Sequence, residues 1–127
     1  MDQAATRFLV LVVDDDARAA RLLANMLRED GFRVEVAVDG AAAVRRLSRD
    51  PVPHALVTDL HLSHADGLTV ARYARSRRDT IGLFLITGYP DLAQELLASF
   101  TPPPFVHTKP VVYEQLRSQI GALEAPT

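Results

Sequence analysis

Polar side chains follow four of the apolar segments of this 127-residue chain, at the points where those segments end. They are the acidic triplet Asp14, Asp15 and Asp16, then Asp59, Thr87 and the pair Thr108 and Lys109. A carboxylate nucleophile, carboxylates that can hold a metal, a cationic partner and a hydroxyl donor together suit the transfer of a phosphoryl group to a carboxylate. That chemistry requires a fold that brings the four segment ends together.

The apolar segments predict the elements that would do this. Short runs rich in Val, Ile and Leu predict strands at residues 8–13, 34–38, 55–58, 81–86 and 105–107. Five strands alternating with five helices predict a parallel sheet with helices on both faces. Right-handed crossovers leave few topologies, and at this length we expect the flavodoxin-like (βα)5 doubly wound sheet with strand order 2-1-3-4-5.

Apolar residues at helical spacing mark the five intervening helices. Their stripes are Leu22, Leu23, Met26 and Leu27; Ala41, Val44 and Leu47; Leu68, Ala71 and Ala74; Leu92, Leu96 and Leu97; and Tyr113, Leu116, Ile120 and Leu123. Gly31 suits a left-handed helix end, Asp66 a helix start and Pro90 a first helical turn. The arginines of helices 2 and 3 are expected on solvated faces, the alternative being a docking surface for an acidic partner.

The predicted strand order places the acidic residues beside one another. Strands 1 and 3 are neighbours about 4.8 Å apart, so Asp14, Asp15 and Asp59 crowd together at the edge where open α/β sheets bind ligands. Carboxylates this close repel one another, and a hard divalent cation with oxygen ligands, most plausibly Mg²⁺, relieves the repulsion.

Lys109 is predicted to reach the same place from two strands away. The backbone distance to Asp59 is about 10 Å at the usual strand spacing, and a lysine side chain covers much of it. Thr87 lies on the strand between them. Lys109 is also the only lysine among 14 basic residues, consistent with a need for a compact point charge at that position. Asp16, by contrast, is expected to cap a helix.

Composition bounds the protein's class. One domain is expected from the length, and the net charge of −2 gives no general attraction for nucleic acid. The absence of cysteine excludes disulfides and thiolate metal sites. The longest apolar run is too short to cross a membrane and the first residues lack a basic signal segment, so we expect a cytoplasmic protein.

Five segments, in order and spacing, resemble the receiver domain of two-component response regulators. They are Leu11-Val-Val-Asp-Asp-Asp16, Leu56-Val-Thr-Asp-Leu-His61, Asp66-Gly67-Leu68, Ile86-Thr-Gly88 and Thr108-Lys-Pro110. The resemblance covers essentially the whole chain. It implies one receiver domain over residues 1–127, with a core of about 7–123, that is a signalling switch rather than an enzyme acting on other molecules.

The resemblance also implies a magnesium site. Asp59 would be the phosphoacceptor, Asp15 would bind Mg²⁺ directly and Asp14 would act mainly through water. His61 would contribute its backbone carbonyl.

It further implies how the phosphoryl group is held and where it comes from. Thr87 would bond the phosphoryl group, Lys109 would pair with it, and Lys109–Pro110 would be a cis peptide. The donor would be a histidine kinase or a histidine phosphotransfer protein, and a homodimer is a further expectation of the family.

The chain departs from the family at positions that bear on its output. Family members carry Tyr or Phe three residues before the lysine, where this chain has Val106 beside Phe105. Tyr89, two residues after Thr87, is the candidate to replace that aromatic. Ser63 and Ala65 are unusual in the loop after the phosphoacceptor, and that loop is expected to be more mobile. The prolines of residues 99–105 are expected to stiffen the link into strand 5.

Two other functions compete with the signalling switch. Asp14-x-Asp16 superficially fits a phosphohydrolase of the haloacid-dehalogenase type, but Arg18 stands where that motif needs Thr or Val. A degenerate receiver that only binds a partner is the second, and the complete set of acidic, hydroxyl and lysine residues argues against it.

Overall fold

A computed structural model describes residues 8–62 and 66–124 as five strands alternating with five helices. The strands are β1 (Leu9–Val13), β2 (Arg33–Ala37), β3 (Ala55–Asp59), β4 (Gly82–Thr87) and β5 (Phe105–Thr108). The helices are α1 (Ala17–Glu29), α2 (Gly40–Leu47), α3 (Gly67–Arg77), α4 (Pro90–Leu97) and α5 (Tyr113–Glu124). None of these helices is long and apolar enough to cross a membrane.

The five strands form one parallel sheet in the order β2-β1-β3-β4-β5, which confirms the predicted fold class. The register places Val13 beside Thr58, Asp59 beside Ile86, and Thr87 beside Thr108. The carboxyl ends of β1, β3, β4 and β5 therefore lie side by side along one edge of the sheet.

Helices cover both faces of the sheet. Successive side chains along a strand point alternately into two apolar clusters, one on each face. Leu11, Leu56 and Leu85 belong to the cluster that includes residues of α2, α3 and α4. Val12 and Phe84 belong to the cluster that includes residues of α1 and α5. The continuous apolar runs seen in the sequence are explained by this double burial.

Aspartate side chains cap the starts of α1 and α3, as the sequence predicts. Asp16 caps α1 by accepting from the backbone N–H groups of Arg18 and Ala19 at 3.1 and 3.2 Å. Asp66 caps α3, Gly31 has the positive φ of a left-handed helix end, and Pro90 lies in the first turn of α4. Ser63 and Ala65, for which the sequence predicts a mobile loop, lie outside the described residues. The side chains of Leu92 and Leu96, predicted on the stripe of the fourth helix, are likewise not described.

The inward face of α2 differs from the prediction. Ala43 and Leu47 are buried, whereas Ala41 and Val44 are only half-buried. Arg46 is also buried, because its guanidinium pairs with Glu35 and donates to two backbone carbonyls at the end of the helix.

The prediction that the arginines of α2 and α3 face solvent is wrong for most of them. Arg75 donates to the carbonyl oxygens of Ile81 at 3.0 Å and Pro102 at 2.7 Å. Arg77 donates to Leu47 O at 2.8 Å and Arg78 to Val52 O at 2.9 Å. These guanidinium groups donate to the carbonyl at the end of α2 and to carbonyls in the segments that lead into β3, β4 and β5. They therefore tie α3 to the segments on either side of it.

Replacing Arg46 by Met should lower the free energy of unfolding by about 2 kcal/mol, because the buried guanidinium that pairs with Glu35 and donates to the carbonyls of Arg49 and Pro51 is lost. Arg45→Met is the matched control, since Arg45 is the exposed neighbour on the same helix, and its effect should stay within about 0.5 kcal/mol. Urea unfolding of the two variants measures the difference. Equal effects would contradict a clamping role for Arg46.

Candidate functional site

Asp59 is an almost completely buried carboxylate at the carboxyl edge of the sheet. It is the last residue of β3, and it is only 2% exposed. The ammonium of Lys109 lies 2.5 Å from Asp59 Oδ2, and the backbone N–H of His61 donates to Asp59 Oδ1 at 2.9 Å. Both carboxylate oxygens thus have a donor, as a buried charge requires.

Lys109 reaches Asp59 across β4, as the sequence predicts. Its backbone N–H donates to Thr87 O at 3.0 Å, which fixes the start of the side chain beside the end of β4. The hydrogen bond to Asp59 raises the pKa of Lys109, and the charges of Asp14 and Asp15 raise it further. The Lys109 side chain is nevertheless half exposed, so its ammonium is open to a group arriving from solvent. The Lys109–Pro110 peptide is cis, as the resemblance implies.

The acidic residues after β1 lie in the same cavity. Asp14, Asp15, Asp59 and His61 all line a cavity of about 750 Å³. Burial raises the pKa of Asp14, and the charges of Asp59 and Asp15 act in the same direction. Among residues 8–62 and 66–124, no three acidic, histidine or cysteine side chains converge as a preassembled metal cluster.

The residues present nevertheless suit a hard cation such as Mg²⁺. Carboxylate oxygens line the cavity, and both burial and the nearby charges of Asp59 and Asp15 raise the pKa of Asp14, a cost that a bound cation would offset. Lys109 supplies a positive charge in direct contact with Asp59.

Thr87 is buried at the end of β4, with its hydroxyl held in one orientation. Its Oγ1 accepts the backbone N–H of Tyr89 at 2.9 Å, which leaves the hydroxyl hydrogen available for another acceptor. Tyr89 itself is 64% exposed, and its ring meets the His61 ring edge-on with centroids 6.1 Å apart. The two rings stand at the rim of a smaller cavity of about 240 Å³ beside Thr87.

On β5, the large side chains lie on the other face from the position where the family carries its aromatic. Val106 is half-buried against the cluster that includes α3 and α4. Phe105 stacks on Phe84 with centroids 5.0 Å apart, and buried His107 pairs with Gln119 of α5 at 2.8 Å. The strand therefore makes its aromatic and polar contacts toward α5.

Sequence reasoning missed two features of this edge. The first is Thr58, a buried hydroxyl whose Oγ1 donates to the carbonyl oxygen of Asp59 at 3.0 Å. A polar residue inside an otherwise apolar strand was the signal that could have found it. The second is an apolar groove that continues the acidic cavity and is lined by Ala19, Leu22, Leu23, Met26, Val111 and Tyr113. Its residues come from α1 and from the segment after β5, so no local pattern shows it.

Comparison with known proteins identifies relatives of the chain. Residues 10–101 match the family model of the response regulator receiver domain. Response regulator MprA of Mycobacterium leprae is 32% identical over 114 residues, which are 90% of this chain and 50% of that protein. The acid tolerance regulatory protein ActR of Rhizobium meliloti is 38% identical over 66% of this chain and 43% of its own length. The chain thus spans about half the length of these curated relatives.

Solved structures agree with the fold. A response regulator receiver protein from Sinorhizobium medicae superposes with a TM-score of 0.82 at 27% identity, over 93% of this chain and 94% of that one. A Francisella receiver domain superposes with a TM-score of 0.78 at 22% identity, over 91% and 95% of the two chains. The family match and the identity to MprA over most of the chain lead to one conclusion: the chain belongs to the response regulator receiver domain family.

Proposed function

We propose that this receiver domain accepts a phosphoryl group on Asp59, in a Mg²⁺-dependent reaction, and changes conformation in response. The observation that carries the proposal is the contact between the Lys109 ammonium and the buried Asp59 carboxylate. The edge of the sheet holds a carboxylate that is shielded from bulk water, flanked by further carboxylates and open on one side to a cavity. The chain would act as a signalling switch in a two-component phosphorelay.

In the reaction, a carboxylate oxygen of Asp59 attacks the phosphorus of the donor. The bond between phosphorus and the donor's nitrogen or oxygen breaks, and its electron pair leaves with the donor. The product is a mixed anhydride, whose phosphoryl oxygens keep the negative charge that they carried on the donor, while the departing group takes up the charge that the carboxylate loses. Lys109 then pairs with a phosphoryl oxygen in place of the carboxylate, and the Thr87 hydroxyl donates to another.

The magnesium site would use the acidic residues. Asp15 and Asp59 would bind the ion, with the His61 carbonyl, and Asp14 would act through water. When bound, Mg²⁺ neutralises charge on the phosphoryl oxygens during transfer. Within residues 8–62 and 66–124, the cation that offsets the charges of Asp14, Asp15 and Asp59 at this edge is Lys109.

Acetyl phosphate with Mg²⁺ should add the mass of one phosphoryl group to the parent protein, as read by intact-mass spectrometry. Asp59→Asn should remove the adduct completely, because an amide is not a nucleophile at neutral pH. EDTA should suppress the adduct in the parent. An adduct that persists in Asp59→Asn, or that forms equally well in EDTA, would show that Asp59 is not a magnesium-dependent acceptor.

We propose a phosphohistidine on an amphipathic helix as the donor, supplied by a histidine kinase or a histidine phosphotransfer protein. Leu22 on α1 is 63% exposed and lines the apolar groove that opens beside Asp59. A carrier that brings phosphohistidine to Asp59 must rest on the surface next to the cavity, and an apolar helix face complements this groove. A homodimer, the absence of direct nucleic-acid binding and a cytoplasmic location remain predictions from the sequence.

Leu22→Gln keeps the helix propensity of α1 and removes the exposed apolar side chain. The rate of phosphotransfer from a phosphorylated histidine phosphotransfer protein should fall by about tenfold, as for loss of an apolar anchor at an interface. The rate with acetyl phosphate should not change, because the reacting groups are intact. Leu123→Gln is the matched control on α5, outside the groove. Equal losses with both donors would contradict docking on the groove.

Tyr89 is the proposed route by which the state of Thr87 reaches the surface. Its backbone N–H is bound to the Thr87 hydroxyl, so a shift of Thr87 toward the phosphoryl group changes the position of the Tyr89 ring. Val106 offers no large ring to follow Thr87 on β5.

Tyr89→Ala should speed dephosphorylation, because the ring at the rim of the site no longer limits the approach of water. It should also reduce the shifts of backbone amide resonances that accompany phosphorylation. Tyr89→Phe keeps the ring and serves as the control. If Tyr89→Ala behaves like the parent while Val106→Ala alters the response, the signal runs through β5 and the role of Tyr89 is wrong.

A further inference from the structure

Thr58 places a hydroxyl in an apolar layer directly before the phosphoacceptor. It is fully buried, and its neighbours in the sheet register are Val13 and Leu85. Packing does not require the hydroxyl, since Val has the same number of side-chain heavy atoms. A hydroxyl buried among apolar groups is tolerated when it is hydrogen-bonded, and Thr58 Oγ1 donates to the carbonyl oxygen of Asp59 at 3.0 Å.

The same carbonyl is constrained from the start of α3. A Cβ on Gly67 would lie 2.2 Å from Asp59 O and 2.8 Å from the Cα of Leu60, so the helix approaches the backbone as closely as a glycine allows. The Gly67 N–H also donates to Leu60 O at 3.0 Å. The peptide unit that leaves Asp59 is thus held by a hydrogen bond and by close packing.

The orientation of this peptide unit determines what the Asp59 side chain meets. The direction of the Asp59 carbonyl sets the ψ angle of Asp59, and therefore the path of the chain through Leu60 to His61. That path brings the backbone N–H of His61 to Asp59 Oδ1 at 2.9 Å. The carboxylate is held in turn by this N–H on one oxygen and by Lys109 on the other.

We propose that Thr58 is a positioning residue for phosphoryl transfer: its hydroxyl orients the Asp59 peptide so that the His61 N–H fixes one carboxylate oxygen. The inference rests on the proposed function of Asp59. Thr58 itself touches neither the donor nor the carboxylate, and it acts through the backbone that connects Asp59 with His61.

The test compares Thr58→Val with Thr58→Ser, because the two changes separate the hydroxyl from the packing. Val keeps the volume and loses the hydroxyl, whereas Ser keeps the hydroxyl and leaves a methyl-sized cavity. At saturating Mg²⁺ and acetyl phosphate, Thr58→Val should be phosphorylated about fivefold more slowly, the equivalent of one hydrogen bond. Thr58→Ser should recover to within about twofold of the parent rate, although it is the less stable of the two variants. Thermal unfolding checks that order of stability.

The His61 amide resonance gives a readout that packing alone does not move. It should shift upfield in metal-free Thr58→Val, as its hydrogen bond to Asp59 weakens, and stay near the parent position in Thr58→Ser. Thr69→Val, the same change at an exposed position in the first turn of α3, should alter neither rate nor resonance.

A Thr58→Val protein with the parent rate and an unshifted His61 amide would overturn the role of Thr58 and leave the role of Asp59 intact. So would rates that follow stability, with Thr58→Ser the slower variant. A parent protein that acetyl phosphate does not modify would overturn the proposed function, and the role of Thr58 with it.

Discussion

The carboxyl edge of the sheet is organised around one ion pair, between the Lys109 ammonium and the buried carboxylate of Asp59. A carboxylate almost without solvent contact is costly unless charge and hydrogen bonds offset its burial. Lys109 meets that requirement only because β5 lies next to β4 and Thr87 pairs in register with Thr108. The strand order and the register are therefore conditions for the site, and a slip of β5 would leave Asp59 without its cation.

The opposite edge of the molecule uses cations in a different way. There the partners are backbone carbonyls that lie beyond the ends of the strands, and the donors are the guanidinium groups of Arg46, Arg75, Arg77 and Arg78. A guanidinium donates several hydrogen bonds in fixed directions, which suits two or three carbonyls at once, whereas an ammonium suits a site where one charge exchanges between partners. This division explains why a chain with 14 basic residues has its single lysine at the carboxyl edge.

Helix α3 contacts both edges of the sheet. It starts beside Asp59, and the arginines at its end donate to the backbone carbonyls at the opposite edge. At its start, Gly67 packs on the Asp59 backbone, and at its end Arg75 contacts the proline-containing segment that leads into β5. Arg72 adds a cation–π contact with Phe100, 5.1 Å from the ring centroid. The helix that packs on the Asp59 backbone thus also contacts the segment that leads into β5.

The sequence alone determined the fold of this protein and which polar residues meet at the carboxyl edge of its sheet. Double-sided burial requires continuous apolar strands. Right-handed crossovers then leave few topologies, and the order expected at this length, 2-1-3-4-5, is the one observed. Because parallel strands end at a common edge, the positions of Asp14, Asp59 and Lys109 after separate strands were enough to predict that they meet.

Only the tertiary structure decided which side chains form hydrogen bonds with backbone groups of other segments. The arginines of α2 and α3 have the spacing of a solvated face, and nothing local shows that loops lie within reach of their guanidinium groups. Thr58 is visible in the sequence as a polar residue in an apolar strand, but only the structure shows that its hydroxyl bonds the Asp59 carbonyl on which α3 packs. Hydrophobic periodicity reports which face of an element is buried, but not which polar groups its neighbours leave unsatisfied, and those groups determined where these side chains point.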